Sequence, residues 1–329
     1  MRSHSYDFRR RDLFQLIAPT LLPLTAFALV MHLGTFCKLL PKPRATLDVD
    51  RTILIQKAEA SQSLHEAQVL LIGDSSCLID VDARQLTEEL KTPSLNLGTL
   101  SYLGLQSHAA IMREYFALNS NRVRTVVLLM HPEALRLTTP GEYHTKFLEG
   151  FLRGQDLILR SRIRDRVSYW LGFESFRNRL LARALPVPLG GAYGRRYGFS
   201  SDLEAYLAAH RGSLADPEVR KFRGNPEYRL ASQFEKSSRA FRTAIPPNVK
   251  LLVAITPVPA GYAPQDYALT LEQILIQWQQ WLAPATILSN VPAILPDHLF
   301  AKTTHLSEEG ARQYTSQLAG ALRLIAGEQ

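Results

Sequence analysis

The stretch QVLLIGDSSCLID, residues 68–80, decides how the rest of the chain is read. An unbroken apolar run is followed by Gly73, Asp74 and Ser75, and then by a segment suited to opening a helix. Strand, tight turn and helix in that order lift the Ser75 hydroxyl to the carboxyl end of a sheet, where open α/β folds carry their chemistry. Gly73 permits the turn, and helix-start amides beyond Ser75 can hold an anion. Taken alone, Gly-Asp-Ser is an ordinary turn with an aspartate or serine cap. Its weight depends on partners elsewhere in the chain.

Working outward, the pattern alternates: VLLIG, a helix over 83–90, SLNLG, a helix over 106–118, and TVVLLM at 125–130. This β-α-β-α-β order predicts a parallel, doubly wound sheet. It resumes at residue 250 with KLLVAITPVP, a helix over 269–282, a short strand near 286–288 and a closing helix over 307–325. Residues of about 140–247 read as an insertion capping the sheet's carboxyl edge, since a separate domain would carry its own sheet or bundle. Between 151 and 200 there are ten arginines against Asp156, Asp165 and Glu174, a surplus of seven that nearly equals the net +8 of the whole chain.

Apolar residues at Ile158, Ile163, Val167, Trp170, Leu171, Phe173, Phe176, Leu180 and Leu181 follow helical spacing through that basic region. Two readings stand side by side. One is a basic amphipathic helix pair lying on anionic lipid headgroups, with Arg160, Arg162, Arg164 and Arg166 meeting lipid or substrate. The other is a cap helix with solvated arginines and an apolar face on the core. Nucleic acid is not an expected partner, because no recognition motif accompanies the charge. GGAYGRRYGFSS, residues 190–201, reads as a loop serving as a lid.

Residues 1–12 are polar and include Arg2, Arg9, Arg10 and Arg11, whereas residues 13–37 contain no Asp, Glu, Lys or Arg. Twenty-five residues rising ~1.5 Å each cross a hydrocarbon core of ~30 Å. The stretch predicts a retained membrane anchor, longer than the apolar run of a cleaved signal. Pro19 and Pro23 should kink it, and His32 is costly in lipid. The leading arginine cluster predicts a cytoplasmic N-terminus and an extracytoplasmic main domain, against the weaker pull of Lys38, Lys42 and Arg44 beyond the span. Residues 38–67 read as a linker with a short helix, leaving 68–329 as one α/β domain. With 329 residues and 46% hydrophobic content, the chain has ample material for a core. Its two cysteines, Cys37 and Cys77, offer no zinc spacing.

A serine is a weak nucleophile until a base takes its proton and donors await the oxyanion. Asn96, Gly98 and Gly104 follow the second strand, where a glycine amide can approach a substrate oxygen. HLFAKTTHLSEEGARQYT, residues 298–315, sets His305 just before a helix with Ser307 as its N-cap. His305 is therefore the expected general base, at the same sheet edge as Ser75. His108 falls on a helix and reads as a core or exposed histidine; Asp74 reads as a turn stabiliser and Cys77 as filling behind it. No His, Cys and carboxylate grouping suggests a metal, and no cofactor is expected.

Taken together, these blocks resemble the SGNH, or GDSL-like, hydrolases and acyltransferases. IGDSS at 72–76 matches the first block of that family, implying Ser75 as nucleophile; NLG followed by Gly104 matches the second, implying oxyanion donors from Gly104 and Asn96 beside the Ser75 amide. THLSEEGARQYT at 304–315 resembles the last block, implying His305 as base. The resemblance covers roughly 68–138 and 248–326 and implies a three-layer, flavodoxin-like parallel sheet. With an N-terminal anchor, it is similar to the branch that moves acetyl or alanyl groups onto cell-surface polysaccharides or teichoic acids, often using a membrane-bound O-acyltransferase partner as donor. Two departures stand out: Lys302 occupies the place of the family's acid, three residues before the histidine, and MHPEAL lacks the third block's Asn. Asp297 stands in as acid, or the site is a dyad, or it has lost catalysis. His131 and Glu133 replace the missing Asn or form a capped turn. Lys302 pairs with a polymer carboxylate or is solvated. The expectation is serine-dependent acyl transfer or ester hydrolysis on a carbohydrate polymer; the rival is a silent glycan-binding or scaffold subunit.

Overall fold

The computed structural model describes residues 10–41, 49–101, 103–136, 140–154, 163–181 and 228–327. Two helices come first, α1 (Arg10–Phe36) and α2 (Val49–Ser61). The sheet then begins with β1 (Val69–Gly73), α3 (Ser75–Asp80), α4 (Ala83–Leu90), β2 (Ser94–Asn96), α5 (Leu105–Asn119) and β3 (Thr125–Met130). Helices α6 (Pro132–Leu135), α7 (Glu142–Leu152), α8 (Ile163–Trp170) and α9 (Phe173–Ser175) follow, the last running into a π-helical turn at Phe176–Leu181. After them come α10 (Phe234–Thr243), β4 (Lys250–Ile255), β5 (Val258–Pro259), α11 (Tyr267–Leu282) and β6 (Thr286–Ile287). The chain closes with β7 (Ile294–Leu295), a 3-10 turn at Asp297–Leu299, β8 (Phe300–Lys302), β9 (His305–Leu306) and α12 (Glu308–Gly327).

Five strands form one parallel sheet in the order β2-β1-β3-β4-β6. Every residue of β1 is buried, as a strand covered on both faces requires. Leu70 and Ile72 point into one core with α2, α5, α10 and α11, while Val69 and Leu71 point into another with α4 and α12. Alternation along the strand thus divides the two layers of helices. Gly73 ends β1 where a Cβ would lie 1.7 Å from the Leu129 carbonyl oxygen, so its absent side chain serves close packing against β3 as well as the turn.

The expected strands and helices of the sheet lie within a few residues of their sequence positions, and the structure moves the boundaries of the fold outward. Helix α2, in the stretch read as linker, is no tether: Ile53, Leu54, Ile55 and Ala58 are core residues. Lys57 is buried with them and its Nζ donates to the Asn96 carbonyl oxygen at 2.8 Å. The stretch read as insertion also gives up both its ends. Helix α7 packs on α2 and α5, and α10 packs on α5 and α11 as the crossover between β3 and β4. There, the buried Trp278 indole donates to Ser238 Oγ at 3.0 Å. Helices α8 and α9 lie against α1. Arg160, Arg162 and the loop 190–201 lie outside the described residues, and Arg164 and Arg166 fall in the first turn of α8.

Helix α1 is continuous, with Pro19 and Pro23 inside it. Its segment Ile17–Phe36 is long and apolar enough to cross a membrane, and 6% of it is buried within the protein.

Candidate functional site

The β1–α3 turn is built around Asp74. Its carboxylate accepts the Ser76 amide at 3.0 Å and the Ser76 hydroxyl at 2.6 Å through one oxygen, and the His131 amide at 2.9 Å through the other. Thr256, following β4, donates its hydroxyl to Ser76 Oγ at 2.8 Å. One buried carboxylate therefore ties together the ends of β1 and β3, and through Ser76 the end of β4. Burial pushes the Asp74 carboxyl upward in pKa, opposed by those donors. From behind, the buried His108 bonds through Nε2 to the Gly73 carbonyl at 2.8 Å and to Thr99 Oγ1 at 2.9 Å. A carbonyl only accepts, so this nitrogen carries the proton. Burial lowers the His108 pKa to about 4. His108 is thus a core histidine bracing the turn.

This bracing presents Ser75 at the first position of α3. Its hydroxyl lies 2.9 Å from His305 Nε2 and 2.7 Å from Ser101 Oγ. Serine and histidine are 230 residues apart in sequence. Two contacts aim the histidine. Asp80, the last residue of α3, accepts the Leu306 amide at 2.8 Å, and Ser307 caps the start of α12 by accepting the Gly310 amide at 3.2 Å. With Nδ1 protonated, His305 Nε2 accepts from Ser75, and Ser101 is then free to donate to Ser75 Oγ. His305 has its pKa lowered to about 4, by burial first and by Lys302 second. Lys302 stands directly opposite it in the β8–β9 ladder.

Of the sequence-predicted site residues, Ser75 and His305 meet. Asp297 does not join them: its Oδ1 accepts the Gly261 amide at 2.8 Å, and among the described residues no carboxylate is hydrogen-bonded to His305. Asn96 is also committed elsewhere. Its buried amide donates to the Cys77 and Val81 carbonyls at 2.7 and 3.1 Å, and its oxygen accepts the Gly98 amide at 2.8 Å. It fastens α3 to the loop after β2 and has no proton left for an oxyanion. Gly104 is the N-cap of α5 and lines a cavity of about 240 Å³ that also takes in Ser101, Leu105, Met130, Ala134 and Phe234. Thr145 Oγ1, on the same wall, is buried without a partner among the described residues.

His131 is both things the sequence offered. It caps α6, its Nδ1 accepting the Glu133 amide at 3.2 Å, so the proton resides on Nε2. That Nε2 is buried with no partner among the described residues. Burial and the neighbouring His305 lower its pKa to about 3, leaving a neutral N–H donor beside the Ser75–His305 pair. Glu133 turns away, accepting from Tyr262 at 2.7 Å and pairing with Arg136. Ser101 and Asp80 were missed from sequence. Asp80 closes the opening motif but carries no signal of its distant partner, and Ser101 lies among several polar residues of one loop.

No protein-family model matches the chain, and no curated protein sequence matches it.

Proposed function

We propose that this protein is an SGNH-type serine acyltransferase or esterase working with a Ser75–His305 pair. The observation that carries the reading is the 2.9 Å hydrogen bond between the two side chains at the carboxyl ends of parallel strands. The strand order is that of flavodoxin-like sheets, in keeping with the resemblance of the three sequence blocks. Ser75 Oγ attacks the donor's carbonyl carbon while its proton passes to His305 Nε2. The negative oxygen is held by the Ser75 and Gly104 amides, with Ser101 and the His131 N–H adding donors. Collapse expels the leaving group, which takes the proton from His305. A polymer hydroxyl or water then gives its proton to His305 and takes the acyl group, and His305 returns the proton to Ser75 Oγ as that oxygen leaves. The largely apolar cavity beside Ser101 suits the acyl group, and the Thr145 hydroxyl, unpartnered among the described residues, suits a polar atom on it.

On this reading residues 13–37 are a single-pass anchor with a cytoplasmic N-terminus and an extracytoplasmic α/β domain. The acceptor is a cell-surface carbohydrate polymer, and a membrane-bound O-acyltransferase is the donor partner. Anchoring beside such a donor favours transfer over hydrolysis. The test is labelling of the detergent-purified protein with a fluorophosphonate probe. Labelling of wild type and its loss in Ser75→Ala is expected; equal labelling of both would overturn the assignment.

One observation favours a second reading. His305 lacks a carboxylate among the described residues and faces Lys302 instead, as in a silent subunit that binds glycan without turning it over. Folded wild type that binds polysaccharide but takes no probe, even with membranes supplying a donor, would establish that reading over the first.

A further inference from the structure

Helix α1 carries a histidine within its apolar stretch, and that histidine is answered by the basic segment. His32 Nε2 lies 3.1 Å from the Trp170 carbonyl oxygen, a group freed by the end of α8. The His32 ring meets Tyr169 edge-on at 5.3 Å, and Phe27 contacts Phe173 and Phe176 at 5.5 and 5.7 Å. Between the helices Gly172 turns the chain with φ +73°, and a Cβ there would lie 2.8 Å from Met31 Cβ and 3.3 Å from Ala28 Cα. Close backbone approach at a small residue, with a polar side chain answered by a carbonyl of the neighbouring helix, is how helices associate in lipid.

Phe27 lies nine residues before Phe36, about 13 Å along the axis at ~1.5 Å per residue. The α8–α9 turn therefore reaches that far below the end of α1, and the chain returns so that Arg179 Nη1 donates to the Pro41 carbonyl at 3.0 Å. Outward from this hairpin point Val167, Trp170, Leu180 and Leu181, with Trp170 71% exposed, and Phe173 and Phe176 stay partly exposed beside Phe27. On α1, Leu29, Val30 and Leu33 are exposed apolar residues flanking the Met31 and His32 that the hairpin meets. In water such a surface is a liability; beside a span it has a solvent.

We infer that residues 163–181 enter the bilayer as a helical hairpin clamped to α1, reaching close to mid-depth of a ~30 Å hydrocarbon core, with lipid acyl chains as the occupant of its outer face. The inference rests on α1 being a span. Arg164 and Arg166 then begin α8 near the headgroups, where cations are favoured. The hairpin would hold the α/β domain in one orientation on the membrane instead of letting it swing on a single helix.

The test uses the full chain in phosphatidylcholine–phosphatidylglycerol vesicles whose acyl chains carry bromine near the headgroup or near the chain end. Trp170 is expected to be quenched by the shallow bromines, with that quenching lost in Trp170→Phe. Phe173→Trp in that background should answer more strongly to the deep ones. Leu22→Trp in the same background reports the span itself. Quenching of Leu22→Trp by lipid, with Trp170 open to aqueous iodide and indifferent to bromolipid, would overturn the hairpin while leaving the span intact. Indifference of both positions to bromolipid would overturn hairpin and span together. A Trp170 shielded from both quenchers would overturn lipid as the occupant and indicate a second protein.

Discussion

Replacing Lys302 with aspartate should make this site faster, because the side chain opposite His305 carries the wrong sign for an imidazolium. Directly opposed residues of an antiparallel pair hold their Cβ atoms about 5 Å apart, so the charged ends lie roughly 7 Å apart. With Lys302 exposed, a near-aqueous dielectric applies, and a unit charge at that distance is worth about 0.6 kcal/mol. Lys302→Gln should therefore raise the acylation rate roughly threefold and shift the acid limb of the pH profile up by about half a unit. Lys302→Asp reverses the charge and doubles the energy to about 1.2 kcal/mol, which is about eightfold in rate and about one pH unit. If the new carboxylate reaches His305 Nδ1, fixing its tautomer, the gain extends towards the ~10⁴ that an acid supplies in serine–histidine–acid systems.

The assay is second-order inactivation by a fluorophosphonate, or p-nitrophenyl acetate hydrolysis, from pH 4 to 9, with Ser75→Ala as the blank. In wild type the neutral, competent base persists until the pH nears 4, the lowered pKa of His305, so the acid limb should lie well below the ordinary histidine value of ~6.5. A folded Lys302→Asp protein no faster than Lys302→Gln, with an unmoved acid limb, would refute the reasoning.

Ser101→Ala removes the second hydroxyl on Ser75 Oγ and should slow labelling about tenfold with unchanged circular dichroism, the size of one neutral hydrogen bond. His131→Ala deletes a neutral donor at the reacting centre and should cost about 10²-fold in rate, whereas His131→Asn, able both to cap α6 and to donate, should recover most of it. His108 has a folded pKa of about 4, below the unfolded ~6.5, so its stabilising contribution is complete above pH 6.5 and is lost as pH falls towards 4. The loss is on the order of 3 kcal/mol; melting temperatures should fall less steeply with acid in His108→Gln than in wild type, and parallel curves would refute the assignment. Gly73→Ala would drive a methyl into the Leu129 carbonyl and should destabilise by more than about 4 kcal/mol, seen as loss of soluble, helical protein on expression.

The strands were legible because a parallel sheet buried on both faces writes itself as short apolar runs, and β1, β3 and β4 are such runs. A short helix was legible in the stretch of α2, but not its place in the core, because Arg51 and Lys57 stand in its buried face, and two cations in thirteen residues erase the apolar stripe that marks a core helix. Helix α10 was lost for another reason: few apolar residues, Phe234 and Phe241 among them, anchor it, and the long basic region before it hides the crossover. Within the site, sequence names a residue type and its loop, while orientation comes from tertiary partners. Asn96 sits in the expected loop and turns its amide to Cys77 and Val81. Asp297 lies eight residues before His305, yet the turn it occupies sends its carboxylate to Gly261. His131 was readable as a residue at the working edge; that its Nε2 alone stays unpartnered required the Glu133 amide to be seen on its other nitrogen.

That arrangement bears on whether a site without an acid can work. An acid chiefly fixes the histidine's tautomer and supports its charge, but serine hydrolases stripped of a triad member still keep roughly 10³–10⁴ over water from the oxyanion donors and binding. Here the histidine is fixed by other means, through Asp80 on the Leu306 amide and the Ser307 cap of α12. Ser101 is hydrogen-bonded to Ser75 Oγ, and the His131 N–H is close enough to His305 to feel its charge. A silent subunit would have no need of a buried, unpartnered donor beside a serine–histidine bond, since leaving such a group unpaired costs about 1–3 kcal/mol. The cost is recovered only when an oxygen arrives to accept it, and a tetrahedral oxyanion on Ser75 is such an oxygen.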